Sequence, residues 1–371
     1  MPVLLPPLRL TGATVLRDGA LQNRSLAFAA GRLTRGPLPE VDLSGFLILP
    51  GIVDCHATLP GPDCDPIALH LDAAAAGVTS SVPVLGWGWP AGPRGADRAE
   101  AALRRLAGLR ARLATDIRPH LRAEVTAVAD EARLLAAVRA RQVHGVIFAD
   151  TGVEGQTLPD PALQDPALDE ARRQAQRARR DVPRHLCRLA EAFDALSLPY
   201  GSLADPDGET RERHSMIGAR IAVFPATRRA AVAAHAMMSP VVLSAPAIAM
   251  GDRVAGGLIA EGIGDALASD GQPGAIIPAV MRLVARIGWV RAWRLVSSGP
   301  AEILRLTDRG ALDAGMRADL VIIDPLTGQV GATICAGRLT HVTGEVAERF
   351  RAQAFAEPLL ASADRPPMAA E

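Results

Sequence analysis

The central part of this chain shows two alternating patterns of apolar positions. Short apolar runs of strand length are separated by longer segments in which apolar residues recur at helical spacing, such as Ala96–Thr115, Glu131–Arg141 and Ala275–Ile287. The short runs predict eight strands: Gly51–Ala57, Val78–Val84, Ile117–Val125, His144–Asp150, Pro199–Asp205, Arg220–Ala226, Pro240–Ala247 and Ala266–Asp270. Eight strand–helix units in about 250 residues predict a TIM-type (β/α)8 barrel, an α/β fold.

Both ends of the chain have a different character. Residues 3–50 and 311–345 consist of short strand-like runs separated by turns, for example Leu8–Leu16 and Ala318–Asp324. Neither end has enough strands to be stable alone, so we expect one small β-sandwich built from both termini. The predicted organisation is a composite β-sandwich domain from 1–50 and 311–350, a barrel over 51–310 and a tail over 351–371.

Composition narrows the possible functions. The chain has 371 residues, 49% of them hydrophobic, which is enough to bury a large core. Its 40 basic residues balance 40 acidic ones, so net charge does not favour nucleic acid or an anionic membrane as a partner. Every basic residue is Arg, and the sequence contains no Lys. This excludes a carboxylated lysine bridging two metals, a lysine base and a Schiff base.

The four cysteines and the N-terminus bear on localisation. Cys55, Cys64, Cys187 and Cys335 fit no zinc pattern, apart from the nearby first two, and we expect reduced thiols. The N-terminus lacks the basic and apolar pattern of a signal peptide. No uninterrupted apolar run approaches about 18 residues, so we expect no membrane-spanning helix and a cytoplasmic location.

The predicted first barrel strand carries Asp54 and His56 two residues apart, on one face of a regular strand. Active sites of such barrels lie at the carboxyl ends of the strands. The other polar residues and prolines at those ends are Thr58, Pro83, Glu124, Asp150, Asp205, Pro225, Pro246 and Asp270. Four acids and one imidazole are typical of an oxygen-rich divalent site.

Several of these residues have alternative interpretations. Asp150 and Asp205 also fit helix caps or solvent-facing positions, and Glu124 shares a strand face with His120 and Arg122, which indicates a salt-bridged barrel interior equally well. Arg253 lies in the predicted loop Gly251–Gly257 and is a candidate for binding an anionic substrate. Six further histidines are interpreted as surface or packing residues: His70, His144, His185, His214, His235 and His341.

Six segments, in their order along nearly the whole chain, carry a resemblance to a known family. They are Leu47–His56, His120–Glu124, Ala222–Thr227, Leu243–Pro246, Ala268–Asp270 and Asp308–Asp324. Together they resemble the amidohydrolase superfamily and, within it, the phosphonate-utilisation branch of PhnM-like diphosphatases that act on ribose methylphosphonate triphosphate.

This resemblance implies a metal site that is reduced in the present chain. Where the family has His-Thr-Asp-Asn, this chain has His56-Ala-Thr-Leu59, and a family histidine after the fifth strand is replaced in Leu203-Ala-Asp205. The positions that still match are His56, Glu124 and Asp270. They imply one divalent ion, zinc or similar, weakly bound or absent, with Asp270 as the base that takes a proton from water.

We therefore expect a hydrolase of a phosphoanhydride in ribose methylphosphonate triphosphate, with a phosphorylated small molecule as its substrate. Two alternatives stay open: a non-catalytic homologue that binds a phosphorylated ligand or a partner protein, and a single-metal hydrolase of cyclic amide C–N bonds. Neither nucleic acid nor a membrane is expected as a partner, and homo-oligomerisation is left open.

Overall fold

The computed structural model describes residues 3–59, 65–88, 95–110, 112–140, 143–150, 173 and 176–352. Within them the predicted strands form a parallel sheet, and we number its members barrel strands 1 to 8: Ile52–Thr58, Val78–Trp87, His120–Glu124, Gly145–Ala149, Tyr200–Leu203, Ile221–Val223, Val241–Ser244 and Ala266–Ala268. A short strand, Asp116–Ile117, also pairs with barrel strand 2. The backbone N–H of Asp270 donates to the carbonyl of His56 at 3.1 Å, which joins the last strand to the first. The predicted (β/α)8 barrel is confirmed.

Helices connect and surround the strands. They are Pro66–Ala75, Ala96–Leu109, Glu131–Arg139, Val182–Ala195, Gly208–Met216, Arg228–Ala236, Ala245–Met250, Arg253–Ala260, Ile276–Arg294 and Ser298–Ile303, with 3-10 turns at Val128–Asp130 and Pro273–Ala275 and a further helix over 344–352. Of the predicted tail, residues 353–371 lie outside the described residues, as does Cys64.

Two sequence predictions after barrel strand 7 are wrong. The strand ends at Ser244 rather than continuing to residue 247, because the Ser244 hydroxyl caps a new helix by accepting the N–H of Ala247. The segment expected to be a glycine-rich loop is largely helical. The Asp252 carboxylate accepts the N–H groups of Val254 and Ala255 at 2.8 and 3.0 Å, and this cap starts the helix in which Arg253 is the first residue.

One segment, Pro273–Ile303, is long and apolar enough to cross a membrane by length and composition alone. This is weak evidence, because core helices of other proteins meet the same criteria. Gly288 interrupts the helix with φ 76° and ψ 164°, and Ile276, Val280 and Trp293 are buried against the barrel.

The barrel interior is apolar at its amino-terminal end. Val53, Ile147 and Val223 belong to a core cluster shared with residues 301–306, at the end of the helix that begins at Ser298. A Cβ on Gly299 of that helix would approach the carbonyl oxygen of Asp265, just before barrel strand 8, at 2.3 Å. The helix therefore closes the amino-terminal end of the barrel and leaves the carboxyl ends of the strands as the accessible side.

Residues from both termini build the remaining sheets. A seven-stranded sheet has the order Val3–Leu4, Arg338–Val342, Val330–Cys335, Leu320–Ile323, Leu47–Pro50, Thr14–Arg17 and Ala20–Asn23. A four-stranded sheet has the order Arg32–Thr34, Leu26–Ala29, Leu8–Thr11 and Glu40–Asp42. The β-sandwich from both ends is confirmed, whereas the exact domain boundaries stay a prediction.

The run Leu8–Leu16 is two strands rather than one. Gly12 has φ 72°, a left-handed conformation that side chains other than glycine rarely adopt, and a Cβ there would meet Ser44 Oγ at 2.2 Å. The chain turns at this glycine, so Leu8–Thr11 joins the four-stranded sheet and Thr14–Arg17 joins the seven-stranded one.

Candidate active site at the carboxyl end of the barrel

A cavity of 360 Å³ lies where barrel strands 1, 2 and 8 meet, and Asp54, His56, Thr58 and Ser269 contribute to its wall. Asp54 is 2% exposed and accepts the backbone N–H of Ser269 at 3.0 Å. Burial is the main reason why the pKa of Asp54 is raised, and the hydrogen bond from Ser269 opposes that shift. Asp54 thus ties the first strand to the last beneath the cavity.

Barrel strand 1 is irregular next to this residue. Asp54 pairs with Ser81, but the next pair is Ala57 with Pro83, so strand 1 has one residue more than strand 2 in between. Strict alternation, which the sequence analysis assumed for Asp54 and His56, does not hold across this irregularity. Both side chains nevertheless reach the same cavity.

His56 is a neutral, buried imidazole. It is 2% exposed and contacts the ring of Phe224 edge-on, with the ring centroids 5.1 Å apart. Burial, and secondarily the charge of Arg122, lowers the pKa of His56 to about 3. Its Nδ1 atom has no hydrogen-bond partner among the described residues.

Asp270 follows barrel strand 8 at the rim. It has φ 48°, a strained conformation for a residue other than glycine, and such strain concentrates at functional sites. Its Oδ1 accepts the hydroxyl of Thr58 at 2.8 Å. Although the residue is exposed, protein atoms crowd one side of the carboxylate, and this partial burial raises its pKa against the opposing effects of Thr58 and Arg122.

The cavity is electropositive. Arg122 of barrel strand 3 lines it and acts electrostatically on both His56 and Asp270. Arg98 and Arg105, from the helix Ala96–Leu109, line it as well. Among the described lining residues Asp54 is the single acid, so the wall favours an anionic ligand.

The predicted metal set of His56, Glu124 and Asp270 stays a prediction. His56 and Asp270 belong to the same rim, where the Asp270 N–H meets the His56 carbonyl. Glu124 is buried at the end of barrel strand 3 and does not line the cavity. In the described part of the chain, no group of three or more His, Cys, Asp or Glu residues is arranged to hold a metal ion.

The remaining candidates lie elsewhere. Asp150 forms a bidentate pair with Arg179, at 3.0 and 3.2 Å. Asp205 is buried between Arg211 and His214, with the His214 Nδ1 atom 2.8 Å from its Oδ1. Arg253 is exposed on its helix and is not part of the cavity wall.

Sequence reasoning missed the roles of Thr58 and His70 and did not single out Arg98 or Arg105. Thr58 was named only among the strand-end residues, yet its hydroxyl donates a hydrogen bond to Asp270. His70 was interpreted as a packing residue, but it lines the cavity, is 5% exposed, and has an Nδ1 atom with no partner among the described residues. His70 could have been identified from its spacing with Pro66, Leu69 and Ala73, which puts all four residues on one helix face.

No protein-family model matches the chain. A curated protein, the alpha-D-ribose 1-methylphosphonate 5-triphosphate diphosphatase of Escherichia coli (strain K12), is 35% identical over 134 residues, which are 33% of this chain and 35% of that protein. The chain thus matches about a third of the length of this relative. Over these 134 residues the match confirms the resemblance to a diphosphatase of ribose methylphosphonate triphosphate that the sequence indicated.

Solved structures resemble almost the whole chain. The β-aspartyl dipeptidase from Fervidobacterium islandicum AW-1 has a TM-score of 0.65 at 15% identity, covering 91% of this chain and 97% of that one. The dihydropyrimidinase from Brevibacillus agri has a TM-score of 0.59 at 12% identity, covering 90% of this chain and 94% of that one. At these identities the likeness shows the fold alone.

Proposed function

We propose that this protein is a hydrolase of the amidohydrolase type that cleaves a phosphoanhydride bond in a small phosphorylated molecule. The observation that carries the proposal is the hydrogen bond between Asp270 and Thr58 at the wall of the cavity that Arg122 and a neutral His56 also line. The partial match to a diphosphatase of ribose methylphosphonate triphosphate supports this substrate class.

Each group has a role in this reaction. Arg122, with Arg98 and Arg105 nearby, would bind the phosphoryl oxygens and stabilise their charge in the transition state. Asp270, oriented by the Thr58 hydroxyl, would take a proton from the attacking water. The water oxygen then forms a bond to phosphorus, the anhydride P–O bond breaks, and pyrophosphate leaves with the electron pair.

The residues present do not fit a tightly bound metal ion. Neither Glu124 nor Asp270 is among the residues that line the cavity, and Asp270 accepts a hydrogen bond from Thr58. The buried Nδ1 of His56 could supply one ligand atom, but structural and catalytic zinc sites have three or four protein ligands. We therefore expect a divalent ion to bind only weakly at this rim.

The second candidate function is the binding of a phosphorylated ligand without catalysis. No group of three or more potential metal ligands is found among the described residues, and this favours it, because an intact metal site would have supplied the Lewis acid that the resemblance implies. The arginine-lined cavity serves this function equally well.

The decisive measurement is pyrophosphate release from ribose methylphosphonate triphosphate. We expect turnover that rises with pH as Asp270, whose pKa is raised, loses its proton. Asp270→Asn should lower the rate by about 10²- to 10⁴-fold, the usual contribution of a general base. Asp72→Asn, at an exposed acid outside this cavity, is the matched control and should keep the wild-type rate.

Two outcomes would contradict the proposal. Full turnover by Asp270→Asn would remove this residue from the reaction. Binding of the substrate without any turnover by the wild-type protein would leave the non-catalytic function. Metal content is measured on the same preparation, purified without chelator: two tightly held ions with fast turnover would show that the expectation of a weak site is wrong.

The cellular setting is proposed on sequence grounds. Net charge is zero, and Cys55, Cys187 and Cys335 are free thiols, as expected of a protein in a reducing cytoplasm.

A further inference from the structure

The cavity extends beyond the rim where Asp270 lies. It crosses barrel strand 2 and continues between two helices, Pro66–Ala75 on one side and Ala96–Leu109 on the other. Proposed chemistry at the rim uses only its first part. The apolar walls of the second part have no role in that chemistry.

The walls of the second part are apolar. Leu69 and Ala73 come from the first helix, Ala102 and Leu106 from the second, and Leu85 from barrel strand 2. Leu69 and Leu106 are only partly buried, so each leaves apolar surface in contact with the cavity. Burying such surface is favourable by about 25 cal/mol per Å², which gives an apolar ligand a driving force to enter.

Charged and polar groups stand at the edge of this apolar region. Arg98 and Arg105 line the cavity on the second helix, and Arg122 lines it at the barrel mouth. The imidazole of His70 is 95% buried next to the apolar wall, with an Nδ1 that no described residue satisfies. A cavity of 360 Å³ with apolar walls and a few convergent polar groups has the size and composition of a small-molecule site.

We infer that the ligand of this cavity is an anion with an apolar substituent, such as an alkyl or aryl phosphonate or phosphate, whose apolar part lies between the helices Pro66–Ala75 and Ala96–Leu109. The inference rests on the proposed function for the anionic part at the rim. It adds to that function the kind of substituent that the substrate carries. A ribose is a poor occupant of the region between the helices, because Leu69, Leu85 and Leu106 could not hydrogen-bond its hydroxyl groups.

The test is a chain-length series of ligands with one head group. Binding of methylphosphonate, butylphosphonate and octylphosphonate to the full chain is measured by titration calorimetry. We expect about a fourfold gain in affinity per methylene until the apolar region is filled, the factor that corresponds to burying one such group. Equal affinities for the three phosphonates would overturn the inference.

Two pairs of variants locate the bound groups. Ala102→Leu fills the apolar region and should remove the chain-length dependence, whereas Ala107→Leu, at an exposed position of the same helix outside the cavity, should keep it. Arg98→Gln should weaken all three phosphonates, whereas Arg104→Gln, also exposed and outside the cavity, should not. Chain-length dependence that persists in Ala102→Leu would place the alkyl chain elsewhere and overturn the inference.

The inference and the proposed function can fail independently of each other. Asp270→Asn should keep the chain-length dependence of phosphonate binding, even though its release of pyrophosphate is slowed. A wild type that fails to hydrolyse any phosphoanhydride but shows the chain-length dependence would sink only the hydrolase function. Turnover of ribose methylphosphonate triphosphate without chain-length dependence would sink only the inference.

Discussion

His56 and His120 are buried inside the barrel as neutral imidazoles, each 2% exposed. The pKa of both is lowered to about 3, by burial first, and then by Arg122 for His56 and by His56 itself for His120. In the unfolded chain their pKa is about 6.5, so below that pH the unfolded state binds protons that the folded state does not. Stability should therefore fall as pH decreases from about 6.5 towards 3, by about 2 kcal/mol per histidine at pH 5.

Urea unfolding at pH 7.5 and pH 5 measures this loss. His120→Gln should reduce the difference between the two pH values by about 2 kcal/mol, because one titrating group is removed. His235→Gln, at an exposed position of the helix Arg228–Ala236, is the control and should leave the difference unchanged. An unchanged difference in His120→Gln would show that His120 is not the group responsible.

At the scale of elements, a buried ion network fixes the helix Gly208–Met216 to barrel strand 5. Arg211 is fully buried, donates to Asp205 Oδ2 at 3.1 Å and to Ser202 Oγ at 2.6 Å, and also contacts the carbonyl of Ala219. Arg211→Ala should destabilise the protein by about 3–5 kcal/mol, because it leaves the Asp205 carboxylate buried with one partner fewer. Thermal or urea unfolding measures the loss.

Arg213→Ala provides the comparison on the same helix. Arg213 is exposed and bonds only Thr210 among the described residues, so its removal should cost less than about 0.5 kcal/mol. Equal effects of the two substitutions would mean that burial of Arg211 does not decide its contribution. The network also explains why Asp205, a strand-end acid, does not face the cavity.

For the whole molecule, the first and last segments of the chain depend on each other. Leu47–Pro50 pairs with both Thr14–Arg17 and Leu320–Ile323, and Leu10, Val15 and Phe28 share a core cluster with the C-terminal strand. Deleting residues 1–45 should therefore lower the hydrogen-exchange protection of Leu320–Ile323, because it removes the N-terminal half of the core against which this strand packs. Amides of Gly145–Ala149 in the barrel are the internal reference. Unchanged protection of the C-terminal strand would contradict a shared domain.

Local pattern was sufficient to predict the barrel and the two β-rich ends. Each buried strand is a run of apolar residues whose period is set by the backbone itself, so the eight strands could be read without knowing their neighbours. The positions of His56 and Asp270 at strand ends could be read in the same way, because the end of a barrel strand is a defined place in the fold, whereas their roles stay predictions. Ser244 and Asp252 are residue types that commonly cap helices, and both begin helices in the structure. The apolar run around Ser244 instead predicted a longer strand, and the glycines after Asp252 predicted a loop.

Tertiary structure decided what each of these residues contacts. Thr58 and Asp270 are 212 residues apart, and Arg122 acts on both His56 and Asp270 from a third strand. The directions of Asp54 and His56 depend on the extra residue in barrel strand 1, which does not follow from spacing. The sequence by itself determined which elements form, because periodic burial is a local property. Only the folded chain decided which charges meet at the cavity, because those contacts join residues from strands that are distant along the chain.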